Sequence, residues 1–329
     1  MAHEIDFTND RANMAYVGEV PWHELGYALQ PGASIEEWQA AAGMNWEIKS
    51  NPLLWLDPAH NGTLHPVPNR VALSRSDNAA YLSTVSSSYQ IVQPAQVLEF
   101  YRDLVGAAGF ELETAGVLFG GRKFWALAKT GEAASIMNVD PLHGYLLLAT
   151  SCDGSLSTTA QFTSVRVVCN NTLTYSVDGR EGVTIRVPHN SVFDPVGVKA
   201  QLGIAAQNWE AFIARATSLA EMQISSADAA QVIAAALKLP KLDLDDESGV
   251  PDYAPTKAFE TIMRLFDTDA VGNRLVTARG TAWGLVNAVT EFVDHHNRAK
   301  TADSRLNQAW FGSGAALKTA VFSGLVAHI

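Results

Sequence analysis

Charge, cysteine and long apolar runs are all in short supply. Charged residues make up 17% of the 329-residue chain, and only two cysteines are present, Cys152 and Cys169. Two thiols cannot build a four-thiolate zinc cage without histidines, nor a disulfide framework, and in a reducing cytosol the expectation is a pair of reduced thiols packed in strands. No stretch approaches the roughly 18 consecutive apolar residues of a membrane-spanning helix. The start, Met1-Ala2-His3-Glu4-Ile5-Asp6-Phe7, has neither the basic nor the apolar segment of a signal peptide, so a cytoplasmic protein with no membrane partner is expected. Basic residues are outnumbered: 23 Lys and Arg against 34 Asp and Glu leave a net charge of −11. That balance excludes a surface that attracts nucleic acid everywhere. The distribution is uneven, however. Residues 1–60 hold nine acidic and two basic residues, whereas Arg274 to Lys318 holds six basic and three acidic.

What is plentiful is core-forming material. Hydrophobic residues make up 47%, with eight Trp and thirteen Phe, enough for one large domain or two closely packed ones. Ser34 with Glu37 has capping-box spacing and predicts a helix from Ile35 to about Ala42, ended by Gly43. Trp46–Lys49, Val71–Leu73 and Tyr81–Val85 read as strands, the last two joined at Arg75–Asn78. A helix from Pro94 to Gly109 follows, its apolar residues recurring at helical spacing. Phe110–Phe119 and Lys123–Lys129 then form a hairpin across a two-residue Gly120-Gly121 turn. Gly144–Ser151 and Thr158–Val168 flank Asp153-Gly154-Ser155, and Thr184–Val187 adds a short strand. Beyond Asp194-Pro195 helical periodicity takes over: Val198 to about Met222, a helix capped by Ser226 and reaching Leu237, then Thr256–Phe266, Thr277–Asn297 and Trp310–Val326. The fold class is α+β: an antiparallel sheet with packed helices over residues 1–190, and a mainly helical part over 191–329 with an acidic, exposed loop at 240–255.

Few motifs carry chemistry. Pro21-Trp22-His23-Glu24-Leu25-Gly26 is a loop anchored by a buried Trp or one that touches a substrate; adjacent residues do not share a face, which disfavours a local metal or acid–base pair. Arg166 followed by Asn170, Asn171 and Thr172 either terminates a strand or clamps an anion. Asn287, Glu291, Asp294 and His295 recur at three- and four-residue spacing on one helix face, without His-Glu-x-x-His spacing. Gly120-Gly121-Arg122-Lys123 places two cations at a hairpin tip. Gly312-Ser313-Gly314 leads towards Lys318 but lacks the spacing of a nucleotide P-loop. No nucleophile elbow, dinucleotide fingerprint, kinase signature or paired-carboxylate motif is present. Neither cofactor nor metal is expected, and enzymatic activity has no local support.

Four ordered blocks resemble the DUF932 family of phage/plasmid-like proteins: Pro21–Gly26; Gly120–Trp125; Asp153-Gly154-Ser155 with Arg166–Leu173; and Trp283–His295 with Trp310–Gly314. The resemblance implies a mobile-element setting in a bacterial host, often one of DNA metabolism. A weaker, fold-level similarity is to Rad52-like single-strand annealing proteins, in which a sheet backed by a helix assembles into rings. The expectation from both is a phage or plasmid protein that binds and anneals single-stranded DNA in recombination and forms a homo-oligomer. Arg122, Lys123, Lys129 and Arg166 would meet phosphates, Asn170 and Asn171 would hold backbone oxygens, and Tyr89, Phe124 or Trp125 would stack on bases. One alternative is a small-ligand protein or enzyme whose cleft holds Trp22, His23, Asn171, Asn287, Glu291 and His295; another is a non-enzymatic assembly or host-modulating protein.

Overall fold

The computed structural model describes residues 7–8, 11–18, 26–108, 110–166, 168, 171–174, 184–198, 200, 208–242, 252–253, 256–299 and 302–328. Helix and strand both contribute heavily, and the class is α+β. The chain divides into two compact units, each assembled from separated segments: Met1–Gly131 with Leu146–Gln161 and Thr184–Leu202, and Glu132–Tyr145 with Phe162–Val183 and Gly203–Ile329.

In the first unit, β1 (Phe7–Thr8) pairs with β2 (Arg11–Ala12), and β3 (Met14–Tyr16) lies parallel to β4 (Tyr27–Ala28). Helix α1 (Ile35–Ala41) starts where the capping box predicts: Ser34 Oγ accepts from the Glu37 amide and the Glu37 carboxylate accepts from the Ser34 amide. Ser34→Ala is expected to cost about 1 kcal/mol, read as a lowered urea midpoint at unchanged slope. Strands β5 (Ile48–Asp57), β6 (Thr63–Arg75) and β7 (Tyr81–Ser86) form a separate antiparallel sheet. Helix α2 (Pro94–Ala108) carries Leu98, Phe100 and Tyr101 into the core, and the Tyr101 hydroxyl is 3.0 and 2.9 Å from the carbonyls of Ala126 and Leu146.

The main sheet adds β8 (Glu111–Leu118), β9 (Lys123–Ile136), β10 (Asp140–Ser151), β11 (Thr158–Arg166), β12 (Asn171–Thr174) and β13 (Thr184–Val187). Its order in the first unit is β4-β3-β8-β9-β10-β11, with β13 also on β11; in the second it is β9-β10-β11-β12. The pairing is antiparallel as expected, apart from β3 and β4. The β8–β9 connection differs from a two-residue turn. Leu118 pairs with Lys123, so four residues intervene, and Phe119, Gly120 and Gly121 all have positive φ (55°, 69° and 101°). The tip packs inward: a Cβ on Gly121 would lie 2.9 Å from the Trp46 ring and 3.2 Å from the Arg75 guanidinium, which only glycine avoids.

The second unit is mainly helical: α3 (Asn208–Glu221), α4 (Ser226–Ala236), α5 (Lys257–Arg264), α6 (Ala282–Glu291), α7 (Ala302–Phe311) and α8 (Ser313–Val326). Every residue of α6 is buried. It is therefore the central helix, against which α3, α8 and β12 pack. Its start lies later than the periodicity from Thr277 predicts, because Thr281 caps it, accepting from the Gly284 amide and donating to the Thr277 carbonyl. A π-helical turn, Phe292–His296, closes it. Ser225, not Ser226, caps α4; the Ser226 hydroxyl is instead hydrogen-bonded to Asp267. Gly312 divides the last helical stretch into α7 and α8. Of the acidic segment, β14 (Lys241–Leu242) pairs with β15 (Asp252–Tyr253), and residues 243–251 and 254–255 lie outside the described residues.

Candidate functional site

Among the described residues expected to meet DNA, most are buried or already paired. Lys123 is buried 5.8 Å from the centre of the Phe119 ring, and desolvation holds its ammonium below the ordinary lysine range, opposed by the charge of Asp153. Lys129 forms a 3.1 Å ion pair with Glu113. Arg122 is exposed, and its Nε donates to the Phe119 carbonyl at 3.0 Å. Phe124 and Trp125 are buried and present no face to a base; Trp125 stands across from Gly116, whose missing Cβ leaves room for the indole. Tyr89 stacks on His189 at 4.5 Å and donates to the Ser151 carbonyl, and burial pushes its phenol well above the ordinary range. Arg166 and Asn171 pair with each other through the backbone, while their side chains, like all of Asn170, Trp22 and His23, lie outside the described residues.

The tip of the Gly120-Gly121-Arg122-Lys123 hairpin is thus packed against the fold. Arg75 lies under it, 4.2 Å from the centre of the Trp46 ring and bound through Nε and Nη2 to both oxygens of Asp77 at 2.9 and 2.8 Å. The Asp77 carboxyl is held low first by that hydrogen bonding. Cys152 lies nearby, its thiol 3.6 Å from the Gly121 carbonyl and pushed up by burial to about 12, which keeps it protonated at neutral pH.

The polar residues of α6 are brought together, but on the fold's own partners. Asn287 donates to the Trp283 carbonyl at 2.8 Å, and the Glu291 carboxylate accepts from the Val271 amide at 2.9 Å with His296 at 3.5 Å. Asp294 holds β12: its Oδ2 accepts from the Thr172 amide and hydroxyl at 2.8 and 3.0 Å, and its Oδ1 from Lys318 at 2.8 Å. Lys318 also donates to the Thr172 carbonyl at 2.7 Å. The side chains of Lys318 and Asp294 are 4% and 8% exposed, so this is a buried pair with several further hydrogen bonds. Asp140, fully buried, accepts from Thr277 Oγ1 at 2.9 Å and Trp283 Nε1 at 3.1 Å. His295 is partly buried, and Arg305 donates to its backbone carbonyl at 2.9 Å. Asp140 and the Arg75 packing on Trp46 were not singled out in the sequence, and Lys318 was named there only for the glycine-rich stretch before it, because each meets partners distant along the chain or through a ring face.

One surface stands apart. The β5–β6 hairpin continues past β7, which pairs only with Arg70–Ser74, and in that arm Leu54 faces Pro66, Trp55 faces His65 and Leu56 faces Leu64. Leu54, Leu56 and Leu64 are 47%, 59% and 57% exposed. Trp55 stacks on His65 at 5.0 Å, and the Asp57 carboxylate sits 2.7 Å from His60 Nδ1 and 3.9 Å from Nε2 of His65 on the neighbouring strand.

No group of three or more His, Cys, Asp or Glu among the described residues is arranged to hold a metal ion, and none of their helices is long and apolar enough to cross a membrane. No curated protein and no solved structure matches the chain. A family model does, over residues 81–310, more than two thirds of the chain and spanning both the Gly120 hairpin and α6. The chain belongs to the family described as a domain of unknown function, DUF932.

Proposed function

We propose that this protein works through binding and assembly and carries out no catalysis of its own. The observation behind this reading is a division of side chains. Glu291, Asp294, Asn287 and Lys318, the groups with chemistry to offer, are hydrogen-bonded within the fold, whereas four large apolar side chains, Leu54, Trp55, Leu56 and Leu64, stand in water together on the β5–β6 arm. Light scattering across a wide range of protein concentration tests it: a mass above that of one chain is expected, and a single-chain mass at every concentration overturns it.

A second reading, single-stranded DNA binding, is favoured by a different surface from the Gly120 hairpin. On the outer side of the β5–β6–β7 sheet, Arg70 and Tyr81 are exposed, with Asn51, Ser74 and Thr84 between them, and the paired segments Ile48–Pro52, Arg70–Ser74 and Tyr81–Ser86 contain no carboxylate. A sheet face with an exposed ring at one end, a cation at the other and hydroxyl groups between suits a stretch of bases and phosphates. Fluorescence anisotropy with a labelled oligonucleotide at low salt is expected to show binding that weakens with salt and with Arg70→Glu. Absence of binding at low salt removes this reading.

A further inference from the structure

The half-buried ring of His189, just past β13, has a backbone carbonyl at each nitrogen: Gln90 O lies 3.3 Å from Nδ1 and Leu156 O 2.9 Å from Nε2. A neutral imidazole carries one N–H and donates to one of them, leaving a lone pair aimed at the other; an imidazolium donates to both. We propose that His189 is a proton-operated clasp, which fastens the chain after β13 to the Tyr89-Gln90 segment ahead of α2 and to the turn between β10 and β11.

The ring is delivered by backbone pairing. Strand β13 pairs with β11 from Thr184–Gln161 to Val187–Thr158, the Gln90 amide donates to the His189 carbonyl at 2.7 Å, and the Ser191 amide closes a turn on the Pro188 carbonyl at 2.9 Å. These bonds involve no titrating group, so the ring stays beside both carbonyls in either charge state and protonation changes only the number of bonds it makes. Tyr89 adds to the preference. Its ring stacks on His189 at 4.5 Å with 21° between the planes, and a cation on an aromatic face gains electrostatic attraction that a neutral ring lacks. Burial pushes the Tyr89 phenol up, so the imidazole is the member of the pair that changes charge near neutral pH.

The other charged groups nearby are Asp153, in the turn that leads to Leu156, and Arg186 and Asp194 on the chain to either side of His189. Among the described residues none of the three forms an ion pair with the ring. The two carbonyls and the Tyr89 face therefore hold the proton. The folded chain offers the protonated ring two acceptors and the neutral ring one, so the clasp stabilises most in acid, and that contribution falls as the pH rises through the histidine range of about 5 to 8.

Urea denaturation of the full chain, with wild type and His189→Gln compared at pH about 5.5 and about 8, tests this, because the glutamine gains no proton and the other titrating groups cancel in the difference. The folding constant of the wild type relative to the variant is expected to be about fivefold larger in acid than in alkali. His189→Phe, which keeps a ring on Tyr89 but has no donor, is expected to lack the same pH-dependent part. A ratio equal at the two pH values, or larger in alkali, overturns the clasp. Nitrogen NMR on the wild type keeps the test open should the variants fail to fold: two ring N–H signals from His189 are expected in acid and one in alkali, with the Gln90 amide shifting in step. A Gln90 amide that stays still while the ring titrates overturns it too.

Discussion

Lys318→Met, with Asp294 left in place, is expected to lower the stability of the second unit by about 3–5 kcal/mol. The substitution removes the ammonium that donates to Asp294 Oδ1 and to the Thr172 carbonyl, and leaves a carboxylate that is almost fully buried facing an apolar chain. The loss comes from that uncompensated charge. Replacing both partners, Lys318→Met with Asp294→Leu, therefore restores part of the stability, although the Thr172 amide and hydroxyl then lose their acceptor. Urea denaturation followed by tryptophan fluorescence measures this, with the two compact units fitted as separate transitions where they separate. Equal losses in the single and double variants would mean that the pair acts through packing alone.

Gly284→Ala carries the second large effect. A Cβ at this position would stand 1.8 Å from the Ala278 carbonyl oxygen and 2.8 Å from its carbon. These are backbone atoms, so no side-chain rotation relieves the overlap, and the first turn of α6 must move off the Ala278 backbone. Thr281 caps that turn through the Gly284 amide, and Trp283 donates to Asp140 from the same turn, so both contacts are disturbed together. A loss of about 3 kcal/mol is expected, at the upper end of overpacking effects, read as a lower urea midpoint. Gly324→Ala is the control, since a Cβ there meets nothing within 4 Å and alanine is the better helix former. Equal stability of the two variants would show that the α6 start tolerates the shift.

The local elements were legible because their signals are local. The Ser34–Glu37 capping box, the Pro94 helix start, the strand pattern from Val71 to Val85 and the change to helical periodicity after Asp194 each depend on residues within one or two turns of each other. The family was legible for another reason: ordered blocks spread along the chain define a lineage whatever their physical roles. Boundaries were harder. Thr281 rather than Thr277 starts α6 because the cap is chosen by which hydroxyl the tertiary packing leaves beside the Gly284 amide, and α7 went unseen because the last helix was expected only from Trp310, whereas Ala302–Phe311 forms a helix of its own that ends before Gly312.

The functional residues divide the same way. Composition and motif spacing could place Lys123, Phe124 and Trp125 on a hairpin and Asn287, Glu291 and Asp294 on one helix, and those placements hold. Exposure could not be inferred from them. Whether a lysine stands in water or under a ring, and whether an aspartate faces solvent or a lysine 24 residues away, depends on which elements pack together, and packing joins residues by distance in space rather than along the chain. The β5–β6 hairpin over Leu54–Pro66 is not expected from the sequence, where only Trp46–Lys49 reads as a strand in this stretch. The end of β7 pairing at Arg70 leaves its leucines exposed, because burial requires a neighbouring layer and the described residues supply none there.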